Sequence, residues 1–156
     1  MKSASDRLMH ACWQLNEEGG EAMTLSRGRF EELMRAGDCV HLPHAFSLSL
    51  PAGLPLDYVS YQWAQTRFDN FLFWERVVVA EADRRKGLGR ELFNGLLNSA
   101  REQGIARVLC AVHERPANRV GHAFVQALGF SAIESQMLPS REIVSFYQRS
   151  TAIATP

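Results

Sequence analysis

The feature that most limits what this chain can fold into is a seven-residue junction, R-R-K-G-L-G-R at residues 84–90, set between the apolar run V-V-V-A and the segment L-F-N-G-L-L. Consecutive valines favour a buried extended strand, because β-branched side chains fit a pleated surface. After the junction, Leu88, Leu92, Phe93, Leu96, Leu97 and Ala100 recur at helical spacing up to Gly104. The chain therefore passes from a core strand into an amphipathic helix through a turn holding four cations and two glycines. A helix start presents unpaired N–H groups and partial positive charge, and Gly87 and Gly89 let the main chain curl so that successive amides converge. Arg84, Arg85, Lys86 and Arg90 add charge-assisted donors. The combination reads as a cradle for phosphate or diphosphate, or else as a solvated basic corner.

Those cations are not the overflow of a basic protein, since 17 Lys+Arg balance 17 Asp+Glu. No global field draws nucleic acid or an anionic membrane, and any anion site is local. The N-terminal residues contain no apolar run, and nowhere do 18 uncharged apolar residues follow one another, so a cytoplasmic chain without signal peptide or membrane span is expected. Cys12, Cys39 and Cys110 are odd in number and far apart in sequence, which predicts reduced core thiols. His41 and His44 flank Pro43 with no further ligands nearby, so no metal is expected.

With 156 residues the chain suits one domain, residues 1–156. A helix is predicted from about Ser5 to Asn16, closed by E-E-G-G, and a second one capped by Ser26 and stopped by Gly37. V-H-L-P-H-A-F-S-L-S-L-P alternates polar and apolar residues around Pro43 and predicts a hairpin. Residues 57–74 hold seven of the fifteen aromatics, as plain core packing or as an aromatic wall for a ligand. F-L-F-W-E-R-V-V-V-A reads as a central strand in which Glu75 and Arg76 need a reason. A-R-V-L-C-A-V is a further core strand, N-R-V-G-H-A-F-V-Q-A-L-G-F a helix with Val120, Phe124, Ala127 and Leu128 apolar, and Phe130–Met137 and Glu142–Gln148 two closing strands. The order predicts an α/β fold with a mixed sheet.

Two familiar phosphate loops fail on spacing. A dinucleotide fingerprint needs a third glycine where Leu92 stands and an acid where Val112 and His113 end the next strand. A P-loop needs Gly-Lys followed by Ser or Thr at the helix start, whereas Lys86 precedes Gly87.

Arg84-x-x-Gly87-x-Gly89 after a strand ending V-V-V resembles motif A of the GNAT superfamily of N-acetyltransferases, Q/R-x-x-G-x-G/A. Asn118, Gly121, Phe124 and Leu128-Gly129-Phe130 are similar, at matching spacing, to the superfamily's N-x-x-A-x-x-L-Y-x-x-x-G-F segment. L-N-E-E, the Y-x-x-x-x-W-x-x-x-R-F-D-x-F run from Tyr58 to Phe71 and E-R-V-V-V look like a bacterial subgroup of predicted acetyltransferases. The resemblance implies a single-domain acyl-CoA N-acyltransferase fold, with a mostly antiparallel mixed sheet and helices on both faces. It also implies acetyl-CoA in a cleft between two splayed strands. The pantetheine would pair with Val77, Val78 and Val79 as an added strand, and Arg84, Arg85, Lys86, Gly87, Leu88, Gly89 and Arg90 would hold the pyrophosphate. Asn118 would contact the cofactor arm, or only cap its helix, and Phe124 would pack near it.

Acetyl transfer needs a free amine, a polarised thioester carbonyl and a stabilised thiolate. Main-chain N–H groups near Val78 and Val79 suit the second task. Glu75, on the face of Val77 and Val79, is the candidate base, the alternative being an ion pair with an arginine such as Arg67. The superfamily's tyrosine seven positions after the asparagine is Val125 here. Tyr147, Tyr61 or water are left as the acid, with His113 and His122 as further candidates. The expected activity is transfer of acetyl to a primary amine of a small molecule or amino acid by direct attack in a ternary complex; the alternative is a CoA-binding sensor module without turnover, which Val125 motivates. Exposed terminal strands leave homodimerisation open.

Overall fold

The computed structural model describes residues 4–19 and 25–153. The elements are α1 (Ala4–Glu17), α2 (Arg27–Ala36), β1 (Asp38–Leu42), β2 (Ala45–Pro51), α3 (Val59–Arg67), β3 (Leu72–Val79), a 3-10 turn at Glu81–Asp83, α4 (Leu88–Glu102), β4 (Arg107–Arg115), α5 (Arg119–Ala127), β5 (Ser131–Met137) and β6 (Ile143–Ser150). The strands form one mixed sheet in the order β1-β2-β3-β4-β6-β5. β3 and β4 are parallel, with Leu72 opposite Val108 and Phe73 opposite Leu109. The pairs β1/β2, β4/β6 and β5/β6 are antiparallel, as expected for a mostly antiparallel sheet. The chain divides into two compact units, Met1–Leu50 with Trp74–Asn94 and Pro51–Phe73 with Gly95–Pro156. No helix among the described residues is long and apolar enough to cross a membrane.

In the first unit, Ser26 caps α2 by accepting from the Arg29 amide at 3.1 Å. That satisfies one of the donors a helix start leaves unpaired. Phe30 meets Trp13 and Phe46 edge-on, with ring centroids 5.2 and 6.1 Å apart. α1 matches its expected span, although Gly20 of the E-E-G-G stop lies outside the described residues. The hairpin forms around Pro43, but the alternation within β2 does not mark an exposed face: Ser47 and Ser49 are 2% and 5% exposed. Gly37 closes α2 as expected, its amide donating to the Leu33 carbonyl at 3.0 Å. Its φ of −106° is open to any residue, and glycine stands there because a Cβ would lie 2.5 Å from the Ser49 carbonyl oxygen and 2.8 Å from Leu50 Cδ2. Gly37→Ala is therefore expected to destabilise the fold by about 1–3 kcal/mol through overpacking against β2, read as a lower urea midpoint with unchanged slope.

The cysteines show a contact that their spacing in the sequence does not reveal. All three are free, yet Cys12 and Cys39, 27 residues apart, bring their sulfurs to 3.8 Å. Hydrogen bonding to Cys12 holds the Cys39 thiol below the ordinary range, while donation to Cys39 and burial push Cys12 up. Burial alone raises Cys110. Thiolate is the reactive form, so iodoacetamide near pH 8 is expected to label Cys39 ahead of both Cys12 and Cys110, as read by peptide mass spectrometry.

In the second unit, the aromatic run proves to contain a helix, α3, that its density of rings obscures. Tyr61 is fully buried and meets Phe71 and Phe73 edge-on. Trp63 stacks on Phe146 at 3.8 Å and donates Nε1 to Glu134 at 2.5 Å. These rings are core, which settles the wall-or-core alternative for Tyr61 and Trp63. α3 lies on the face of β6 that carries Phe146, and α5 on the opposite face through His122 and Tyr147. α4 and α5 both end at left-handed glycines, Gly104 (φ 70°) and Gly129 (φ 90°). Each end carries the paired bonds of a Schellman motif, Ile105 N to Ala100 O with Gly104 N to Arg101 O, and Phe130 N to Val125 O with Gly129 N to Gln126 O. The buried face of α5 is partly turned from the expected one: Leu128 is buried as expected, but Val120 is 81% exposed, Ala127 is exposed, and Val125 is buried.

Candidate active site

The junction at 84–90 lies in the first unit and is a built turn. Arg85 (φ 68°) and Gly87 (φ 82°) both hold left-handed conformations, with one residue between them. Such a backbone costs an L-residue about 1–2 kcal/mol, so its presence at Arg85 points to a role for the loop shape. The Gly87 carbonyl accepts from the Glu91 amide at 3.0 Å, opening α4 directly behind the curl. Gly89 is buried in the first turn of α4, while Arg85, Lys86, Gly87 and Arg90 are exposed.

Arg84 and Lys86 have local work. Arg84 does not project freely, because its Nε donates to the Val79 carbonyl at 3.3 Å and its Nη2 to the Glu18 carbonyl at 3.0 Å. It fixes the loop to the end of β3 and to the turn after α1. Lys86 Nζ lies 3.1 Å from Asp83 Oδ1, on a side chain 62% exposed, a weak and easily exchanged pair.

β3 leads into this loop. The Glu75 carboxylate accepts from Arg76 Nε at 2.5 Å and Nη2 at 2.8 Å, and Arg76 Nη1 donates to Asn16 Oδ1 at 2.6 Å. The ion-pair alternative for Glu75 is thus observed, but with Arg76. Arg67 instead pairs with Glu134 at 2.7 Å. The Glu75 side chain is 1% exposed, yet the residue as a whole is half-buried, so its accessible surface is main chain. Val77 and Val79 are half-buried, Val78 buried. The signals for the two missed members were present: Arg76 is a charge inside an apolar strand, and Asn16 sits four residues after Cys12, a member of the predicted apolar face of α1.

The remaining candidates lie in the second unit. Asn118 caps α5, accepting from the Gly121 amide at 2.9 Å. A Cβ at Gly121 would lie 2.5 Å from Asn118 Nδ2, so a larger residue there would have to displace the Asn118 side chain. Phe124 is half-buried and Val125 5% exposed. The Tyr147 hydroxyl lies 2.7 Å from His122 Nδ1, and His122 Nε2 lies 2.9 Å from the His113 carbonyl oxygen. A carbonyl only accepts, so in the neutral ring Nε2 carries the hydrogen and Nδ1 accepts from Tyr147. His113 Nε2 is 2.7 Å from Glu142 Oε2. Tyr61, the other phenol considered, donates to the Pro51 carbonyl and is core. Among the described residues no group of three or more His, Cys, Asp or Glu could hold a metal ion.

Residues 53–130 match the family model described as Acetyltransferase (GNAT) family. The chain belongs to that family. Members use acetyl-CoA as acetyl donor to amine acceptors, and both junction glycines and Asn118 lie inside the matched range. The GNAT fold is seen again in solved structures. The ribosomal-protein-S18-alanine N-acetyltransferase from Escherichia coli aligns with a TM-score of 0.69 at 17% identity, covering 99% of this chain and 93% of that one. Ard1 from Thermoplasma volcanium aligns at 0.72 and 14% identity, covering 96% and 95%. The NatC complex bound to Gag peptide and CoA aligns at 0.67 and 8% identity, covering 91% and 89%. At these identities the likeness is one of fold. No curated protein matches this GNAT chain in sequence.

Proposed function

We propose that this GNAT protein transfers acetyl from acetyl-CoA to a primary amine of a small molecule or amino acid by direct attack in a ternary complex. The amine nitrogen forms the new C–N bond, the tetrahedral adduct collapses with cleavage of C–S, the nitrogen loses a proton, and the CoA thiolate gains one. The observation that carries this reading is the loop at 84–90, where two left-handed residues curl the main chain immediately before α4. In this reading the amides of residues 85–90, with Arg85, Lys86 and Arg90, take the diphosphate, and Arg84 holds the loop in place. Val77–Val79 accept the pantetheine as an added strand, and an N–H of Val78 or Val79 polarises the thioester. By the family resemblance, Asn118 and Phe124 are assigned to the cofactor arm. Holding amine and thioester together is worth up to about 7–11 kcal/mol and supplies most of the acceleration.

The bidentate pairing engages both oxygens of Glu75 with Arg76, so we assign Glu75 to structure and the amine's proton to water. That favours acceptors already partly free: about one-tenth of an α-amine of pKa near 8 is unprotonated at pH 7, against less than about one-thousandth of an alkylamine near 10.4. Tyr147, whose hydroxyl is oriented by His122, is the assigned proton source for the thiolate.

The test is calorimetric titration with CoA, followed by thiol release from acetyl-CoA against a panel of amino acids, alkylamines and a peptide with a free N-terminus. The peptide belongs in it because one fold neighbour is named for ribosomal protein S18 alanine and another was solved with a peptide. The reading expects CoA heat and turnover on α-amines. Buried Val125 in the tyrosine position favours a second reading, a CoA-binding module, for which CoA raises the melting temperature while no amine is acetylated. Absence of CoA heat removes both.

A further inference from the structure

We infer that Asn16 and Arg76 are positioning residues for acetyl transfer: with Glu75 they form a buried clamp that fixes the main chain of β3 where the thioester carbonyl is to be polarised. The inference rests on the reading of β3 as the strand that takes the acetyl-CoA arm.

The clamp is fully engaged. Three guanidinium nitrogens of Arg76 are used, two on Glu75 and one on Asn16, at 2.5–2.8 Å. Arg76 and Glu75 side chains are 6% and 1% exposed, and Asn16 is 3% exposed. Buried ion pairs are poor sources of stability, since apolar residues of similar volume commonly serve as well or better. The strand around them, F-L-F-W before and V-V-V-A after, is otherwise apolar. Core packing alone gives no reason to interrupt it with two charges, whereas a need to hold one stretch of main chain in one place does.

The location supplies that need. α1 and the turn after it are tied to the strand and loop at two points, Asn16 to Arg76 and the Glu18 carbonyl to Arg84, and Arg84 also reaches the Val79 carbonyl. The two ties bracket residues 76–84, the segment running from the proposed thioester site to the phosphate loop. Just before it, at Glu75, the exposed surface is main chain while the carboxylate is hidden. A strand whose main chain must stay open to a ligand cannot rely on neighbours to hold it there, and side-chain clamps from behind perform that task.

The test needs no acceptor. Isotope-edited infrared spectra of acetyl-CoA labelled with 13C at the acetyl carbonyl report polarisation directly, and CoA calorimetry reports binding. The parent protein is expected to shift the bound carbonyl band to lower frequency. Asn16→Leu should lose at least half of that shift while keeping CoA affinity within about threefold, and Asn16→Asp, which retains an oxygen toward Arg76, should recover it. Because removing Arg76 alone threatens folding, the apolar triple variant Asn16→Leu/Glu75→Leu/Arg76→Met gives the second measurement: folded, binding CoA, and without the shift. A parent-like shift in the triple variant overturns the clamp, as does a parent that binds acetyl-CoA with no shift. Equal loss of CoA affinity in Asn16→Leu and Asn16→Asp overturns it too, marking a merely structural contact. A parent that gives no CoA heat takes down the functional reading itself.

Discussion

Gly87→Val is expected to weaken CoA binding at least about a hundredfold in calorimetry, equivalent to roughly 2.7 kcal/mol, while lowering the melting temperature by only a few degrees. Gly87 is exposed, so no core packing is lost. A Cβ there would meet no protein atom within 4 Å, so the substitution creates no collision. What it attacks is conformation: at φ 82° a β-branched residue is strongly disfavoured, and the loop relieves the strain by rotating the peptide planes on either side. Those planes carry the amides assigned to the diphosphate. Gly53→Val is the matched control, because Gly53 has φ 90°, open space around its Cβ, and no part in the cradle. The control should show a comparable change in melting temperature with CoA affinity unmoved. Parent-like CoA binding by Gly87→Val would leave the junction a solvated basic corner.

What was legible in the sequence was what local chemistry decides. Ser26 and Asn118 at helix starts, Gly104 and Gly129 at helix ends, and the strand–turn–helix at 84–90 are all fixed by groups within a few residues of one another, and each stands where its residue type predicts. Gly37 shows the limit of the same reasoning. Glycine at a helix end suggests a left-handed cap, but here the cause is β2 passing close by, a contact invisible to spacing. α3 was hidden for a related reason, since Val59, Tyr61, Trp63 and Phe68 carry β-favouring side chains, and packing against Phe71, Phe73 and Phe146 decides the helix. The face of α5 that buries Val125 and exposes Val120 is likewise decided by packing on the sheet, with β4 among its neighbours, which spacing does not show.

The site divides along the same line. The loop could be read because its cations and glycines are contiguous. The clamp could not, because Asn16 and Arg76 are 60 residues apart, and the Cys12–Cys39 approach spans 27. Sequence showed only that Glu75 and Arg76 needed partners; that they would take each other, with Asn16 as the third member, depends on α1 lying against β3.

That dependence sets the largest stability effect expected in the molecule. Arg76→Met should lower unfolding free energy by about 3–5 kcal/mol in urea titration, enough to unfold a marginal domain, because Glu75 is left charged in a site where its side chain is 1% exposed. An exposed pair of the same geometry would be worth only about 0.2–1 kcal/mol, so the measured cost decides whether burial governs. The Asn16→Leu/Glu75→Leu/Arg76→Met variant should recover most of the loss, since it removes the stranded charge along with its partners. If the triple variant is as unstable as Arg76→Met, the ion pair itself stabilises the fold and its presence needs no functional reason. If stability returns while the acetyl carbonyl loses its polarisation, the charges are retained at this point of β3 for what they do to its main chain, and folding and acetyl transfer make separable demands on the same three side chains.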